Sequence, residues 1–296
     1  MIKFRKLTIE DKAWFDEALK GCGYGIYEYN FTSAFIWSAM LGISVADMRG
    51  SIIIASNNES TFLYPYGKCG GIAGVELIME HCSEKGIAPR FYSILPQMKA
   101  ELEAAYPGKW KFVQNRNAGD YIYETESLTT LRGKKLSSKR NHINRFEQEY
   151  PNWRYERITR DNIGDAFEMN MKWCAEMDCQ NSKGLREEGC AVRCAFKNFF
   201  ELGLDGGILY ANGEAVAFSM GERLDDNTYL VHIEKAYAEV NGAYPMINKQ
   251  FVLHNAEGYK YVNREEDEGD EGLRRAKLSY QPAVIAQKYD AVYIGD

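Results

Sequence analysis

The stretch from Tyr261 to Pro282 reads YVNREEDEGDEGLRRAKLSYQP and sorts its charges into two blocks. Glu265, Glu266, Asp267, Glu268, Asp270 and Glu271 come first, and Arg274, Arg275 and Lys277 answer them. An acid such as Asp267 can bind a cationic amine or take its proton. Arg274 and Lys277 can hold a phosphate or offset charge developing on a carbonyl oxygen. A solvated loop accounts for the acids but leaves the basic residues that follow unexplained. Gly269 and Gly272 break the acidic run, and Lys277 to Tyr280 is expected to resume as a strand. Alternation then puts Lys277 and Ser279 on one face, with Leu278 and Tyr280 on the other, and Pro282 ends the pairing.

A second set of reactive types lies in TYLVHIEKAYAEVNGAYPMINKQF, residues 228–251. Tyr229 to Glu234 reads as a strand that places His232 and Glu234 on one face, beside Leu230. Asn241-Gly242-Ala243 then leads through Pro245 into a helix. The unpaired N–H groups of such a helix start favour a phosphate or carboxylate. The plain alternative is a strand-loop-helix connection with a partly buried histidine and a Glu234–Lys235 ion pair. The third set is LRGKKLSSKRNHINRF, residues 131–146, which carries Arg132, Lys134, Lys135, Lys139, Arg140 and Arg145 and no acid. It reads either as a solvated linker face or as a basic seam between two domains for a polyphosphate or an RNA backbone.

These segments need a frame to hold them. The chain has 296 residues, 45% of them hydrophobic and 26% charged, which suits about two packed domains. A formal net charge of -6 argues against a surface that grips nucleic acid everywhere, and leaves room for a local basic patch. No apolar run approaches the roughly 20 residues of a membrane helix, and the first residues carry no apolar signal core, so the chain reads as cytoplasmic. Seven cysteines fit a reducing compartment. Cys174, Cys179, Cys190 and Cys194 lack the usual C-x-x-C spacing, and the four histidines form no H-E-x-x-H, so buried thiols are expected and a metal is not.

The order of elements repeats. LTIEDKAWFDEAL, with Thr8 or Asp11 as cap, matches ITRDNIGDAFEMNMKWC, where Ile163, Ala166, Phe167, Met171 and Cys174 recur at helical spacing. Hairpins follow around Asn57-Asn58 and around Asn212-Gly213. Helices come next near Gly74–Lys85 and Pro245–Glu257. Two aromatic strands then lead into GKWKFVQNRNAGD and EGYKYVNREEDEGD. This predicts an α/β (mixed α+β) chain of two similar lobes, each a mixed sheet flanked by helices. The first lobe spans 1–150 and ends in the connecting helix SSKRNHINRFEQEY; the second spans 151–296 and carries the active site. No nucleotide-binding glycine motif is present, and ligand is expected where parallel strands splay at their carboxyl ends.

YIYETESLTTLRGKKLSSKRNHINRF, HIEKA and above all YVNREEDEGDEGLRRAKLSYQP resemble the phosphatidylglycerol lysyltransferase C-terminal-like family. That resemblance covers almost the whole chain. It implies two tandem GNAT-like acyltransferase lobes, similar to Fem-type and other aminoacyl-tRNA-dependent transferases. The implied reaction moves an acyl or aminoacyl group from an activated ester to an amine or hydroxyl on a small molecule or peptide. The donor is then the acceptor end of an aminoacyl-tRNA, which suits the basic seam, or acyl-CoA, which suits the Gly242 turn. His232, Glu234, Asp267 and Lys277 are the expected catalytic groups. Lys139, Arg140, Asn241, Gly242, Ala243 and Arg274 are expected to bind the donor, and Lys235, Asn263, Ser279 and Tyr280 the substrate, all meeting in one cleft between the lobes. The competing reading is a non-catalytic RNA- or nucleotide-binding protein on an acyltransferase-like scaffold.

Overall fold

Two mixed sheets order the chain in a computed structural model that describes every residue except Arg49, Lys68, Cys69, Asp178, Gln180 and Asp296. In the first sheet the strands run Arg5–Lys6, Ser44–Met48, Ser51–Ser56, Thr61–Leu63, Arg90–Ile94, Tyr289–Tyr293 and Trp110–Gln114, with Tyr66–Gly67 also on Ser51–Ser56. In the second they run Val284–Ile285, Tyr121–Glu124, Tyr261–Asn263, Thr228–Ala236, Glu214–Arg223, Asp205–Ala211 and Arg154–Arg157. Each sheet contains one parallel pair bridged by a helix. Thr61–Leu63 passes through Ile72–Lys85 to Arg90–Ile94, and Thr228–Ala236 passes through Ala243–Asn255 to Tyr261–Asn263. The repeated order of elements is therefore real. The Asn212-Gly213 turn has φ of 50° and 85°, the doubly left-handed geometry that a two-residue hairpin needs.

The division of the chain differs from the expected break at 150. One compact unit holds Met1–Asp120, Glu266–Gly269 and the residues from Ala286 onward; the other holds Tyr121–Glu265 and Asp270–Ile285. Each sheet takes one antiparallel strand from a distant part of the sequence. Tyr289–Tyr293 lies between Arg90–Ile94 and Trp110–Gln114, and Tyr121–Glu124 lies beside Tyr261–Asn263. Residues 131–146 are thus no connector between domains. Leu131, Leu136, Ile143 and Phe146 share a core with Ala243, Met246 and Ile247, so the Ser137–Glu149 helix packs on the Ala243–Asn255 helix inside the second unit.

Two further expectations are corrected. Lys277 to Tyr280 is no strand, because Glu271–Leu278 is a helix. Asp270 caps it by accepting a 2.6 Å bond from the Leu273 N–H, Glu271 lies in the first turn, and Arg275 and Lys277 lie in the last. Acids at the start and bases at the end complement the helix dipole, so much of the charge reversal is the signature of this one short helix. The Ile163–Glu176 helix buries Ala166, Met169, Asn170 and Trp173, whereas Phe167 and Met171 are 39% and 44% exposed. Its buried face is rotated from the one expected, and tertiary packing sets that choice.

Candidate functional site

In the second unit the parallel pair is short. Thr228, Tyr229 and Leu230 pair with Tyr261, Val262 and Asn263, after which Thr228–Ala236 runs on while the other strand ends. The opening left at the carboxyl ends is occupied by an ion pair. Arg264 donates to Glu234 Oε1 at 2.7 Å, and Asn248 donates to Glu234 Oε2 at 2.8 Å. The Arg264 guanidinium lies 4.8 Å from the Tyr280 ring centre and 5.6 Å from that of Tyr123. On the same Tyr280 ring, at 4.2 Å, lies the Lys139 ammonium.

Lys139 has no hydrogen bond or ion pair among the described residues. Burial lowers its pKa, repulsion from Arg264 lowers it further, and Glu234 offsets part of this. It lines a cavity of about 260 Å³ together with His142, Tyr237, Asn241, Gly242 and Tyr244. The helix after this turn offers few amides to an anion. Ala243 donates its N–H to the Val240 carbonyl and Met246 to that of Gly242, and Pro245 has none. At most the N–H groups of Gly242 and Tyr244 remain. The expected donor role of Ala243 is accordingly not available to its N–H.

Gly242 is required here twice over. Its φ is +86°, and a Cβ would lie 2.3 Å from the His142 carbonyl oxygen. His142 Nδ1 also meets Asn241 Oδ1 at 3.1 Å. Gly242→Ala should therefore destabilise the chain by about 1–3 kcal/mol in denaturant unfolding. A variant as stable as wild type would mean that the two helices separate without cost.

The other expected residues have partners of their own. His232 Nε2 meets Glu222 at 3.0 Å and Nδ1 meets Glu265 at 2.9 Å. Burial would lower its pKa, but the two carboxylates reverse the effect and bring it up to about 9. The imidazole is thus charged at neutral pH and has no lone pair to accept a proton. Lys235 pairs with Glu188 at 2.5 Å and lies 4.0 Å from the Trp173 ring centre, so the Glu234–Lys235 pair is not formed. Arg140 donates to the carbonyls of Leu131 and Gly133. Lys277 is buried and donates to the Arg264 carbonyl at 2.6 Å, Ser279 donates to that of Ala276, and Asn263 accepts from the Glu265 N–H at 2.8 Å. Arg274, half-buried, sits in the Glu271–Leu278 helix. Among the described residues no three His, Cys, Asp or Glu side chains form a group able to hold a metal.

Asp267 belongs to the first unit, not the second. It is 0% exposed, pairs with Arg116 at 3.5 Å and accepts the Gly269 N–H at 2.9 Å. The first unit also holds a charged cluster that pattern reading missed. Lys288 donates to both oxygens of Glu28 at 2.7 and 2.6 Å and to Asp120 at 2.6 Å; Ser93 donates to Glu28 at 2.5 Å. Burial pushes the Glu28 carboxyl up, Lys288 pulls it back, and it settles at about 7. Only the aspartate of NRNAGD hinted at this cluster, because its members lie up to 260 residues apart.

The profile of the family described as Phosphatidylglycerol lysyltransferase, C-terminal, matches residues 23–292. A conserved protein of unknown function from Bacteroides thetaiotaomicron VPI-5482 is 36% identical, with a TM-score of 0.92 over 99% of this chain and 100% of that one. L-PGS from Bacillus licheniformis is 16% identical, with a TM-score of 0.67 over 99% and 94%, a likeness of fold. Protein MYCGA3080 of Mycoplasmoides gallisepticum is 25% identical over 183 residues, 59% of this chain, and the match spans 56% of that relative's length. Both units are mixed sheets flanked by helices. No helix among the described residues is long and apolar enough to cross a membrane. On the profile match over nearly its whole length, the protein belongs to the phosphatidylglycerol lysyltransferase C-terminal family.

Proposed function

We propose that the chain is an aminoacyltransferase that takes an aminoacyl group from the ester at the acceptor end of a tRNA and passes it to a hydroxyl or amine. The observation that carries this reading is Lys139, which lines a cavity and whose ammonium has no hydrogen bond or ion pair among the described residues. A cation held this way attracts an anion, and a phosphate near the acceptor end supplies one. Family membership supports the reaction class.

Acyl-CoA fits less well. The Glu234–Arg264 pair ties the two parallel strands together where they part, and the helix start at Gly242 has too few N–H groups to cradle a diphosphate. In the transfer itself the acceptor's oxygen or nitrogen adds to the ester carbonyl, and the ribose oxygen leaves. His232 is already charged, and Glu234 is bonded to Arg264 and Asn248, so neither is the proton acceptor. The departing ribose oxygen can take the acceptor's proton, while Lys139 holds the donor.

The test uses the purified chain with labelled aminoacyl-tRNAs and, separately, acyl-CoAs, in the presence of phosphatidylglycerol vesicles or small amines. Acceptor-dependent discharge of an aminoacyl-tRNA supports the proposal. Tight tRNA binding without discharge would favour the RNA-binding reading instead, and turnover with acyl-CoA alone would overturn the choice of donor. Lys139→Met should weaken tRNA binding about 10-fold and lower the salt slope by about one, while Lys139→Arg keeps most of the affinity.

A further inference from the structure

Lys139 differs from its cationic neighbours in the second unit. Arg264 has Glu234, His232 has Glu222 and Glu265, and Lys235 has Glu188, whereas among the described residues Lys139 forms no ion pair and lies over the face of Tyr280, with Glu234 acting on it only through space. The same ring carries Arg264, so two cations share one aromatic face or its two sides. Lys139 is also one of the residues that line the open cavity at the Gly242 turn, into which a small group can enter.

We propose that Lys139 is an acylation site, whose amine takes an acyl group from small activated thioesters and thereby loses the positive charge of the cavity. The Nζ lone pair adds to the thioester carbonyl, the C–S bond breaks, and the thiolate leaves as a thiol after taking the amine proton through solvent. An amide remains. Only the neutral amine reacts. Burial and Arg264 favour that form, while Glu234 and the Tyr280 face oppose it. The product is neutral, so acylation removes the group that draws an anionic donor into the cavity, and acyl supply regulates donor binding.

The acylation is measured with no tRNA present, so it fails separately from the transfer reaction; its effect on donor binding rests on that reading. The intact chain is treated with the acetyl thioester of N-acetylcysteamine at pH 7.5, and each lysine's initial rate is followed by quantitative mass spectrometry. Lys139 is expected to be the fastest site, about 10-fold above the median of exposed lysines such as Lys135 and Lys183. Lys139→Arg should remove this first, fast addition and leave the other sites unchanged. Any other lysine reacting faster than Lys139, or a fast addition that survives in Lys139→Arg, overturns the proposal.

Discussion

His232→Phe is expected to lower the unfolding free energy by about 3–5 kcal/mol at pH 7, measured by urea denaturation. The imidazole side chain is 2% exposed and is held between Glu222 and Glu265 at 3.0 and 2.9 Å. Without it, two poorly solvated carboxylates lose the cation that bridges them. The pH profile gives a second reading. Burial on its own lowers this pKa, and the carboxylates lift it from 6.5 to about 9. A raised histidine pKa stabilises fully below about 6.5, and that stability is lost as pH rises through about 9. Such a gap corresponds to about 3 kcal/mol. Wild type should lose roughly that much relative to His232→Phe across the interval. Parallel profiles for the two proteins would show that His232 is not the charged bridge inferred from its geometry.

Lys288→Met should cost the first unit a similar amount, about 3–5 kcal/mol in the same assay. The ammonium joins Glu28 and Asp120 and is itself 1% exposed. Its removal takes from two buried acids the cation that joins them, next to the Tyr289–Tyr293 strand that sits inside the first sheet. Glu28→Gln behaves differently. Its carboxyl is raised from 4.5 to about 7, chiefly by burial, so the folded state favours the protonated form. That contribution is present in full below about 4.5 and is lost as pH rises through about 7. The amide keeps an acceptor for Ser93 and Lys288 while removing the excess negative charge. At pH 8 Glu28→Gln should be at least as stable as wild type. Marked destabilisation there would mean that the carboxylate is net favourable, and that Lys288 needs both acids.

Local chemistry was readable from the chain. The Asn212-Gly213 hairpin, the Gly242 turn and the duplicated strand-helix-strand order each follow from backbone preferences or periodicity over a few neighbouring residues. Asp270 followed by acids and then bases carries a helix-cap signature too, which the strand expectation for Lys277 to Tyr280 overlooked. The resemblance to the phosphatidylglycerol lysyltransferase family was likewise legible in the motif after Tyr261, and the profile match agrees.

Which residues share a site was a different matter. His232, Glu234 and Lys277 are correctly types that do chemistry, yet each is held by a partner that their spacing does not reveal: Glu222 and Glu265, Arg264 and Asn248, the Arg264 carbonyl. Lys139 stands out because, among the described residues, the fold gives its amine no hydrogen bond or ion pair. Apart from the Glu271–Leu278 helix, the elements around the site and their repetition follow from neighbours a few residues apart. Only tertiary structure decided that Tyr121–Glu124 and Tyr289–Tyr293 complete sheets built from distant segments, and that Lys288 meets Glu28. Long-range strand pairing and charge compensation depend on distances in space, and no period along the chain encodes them.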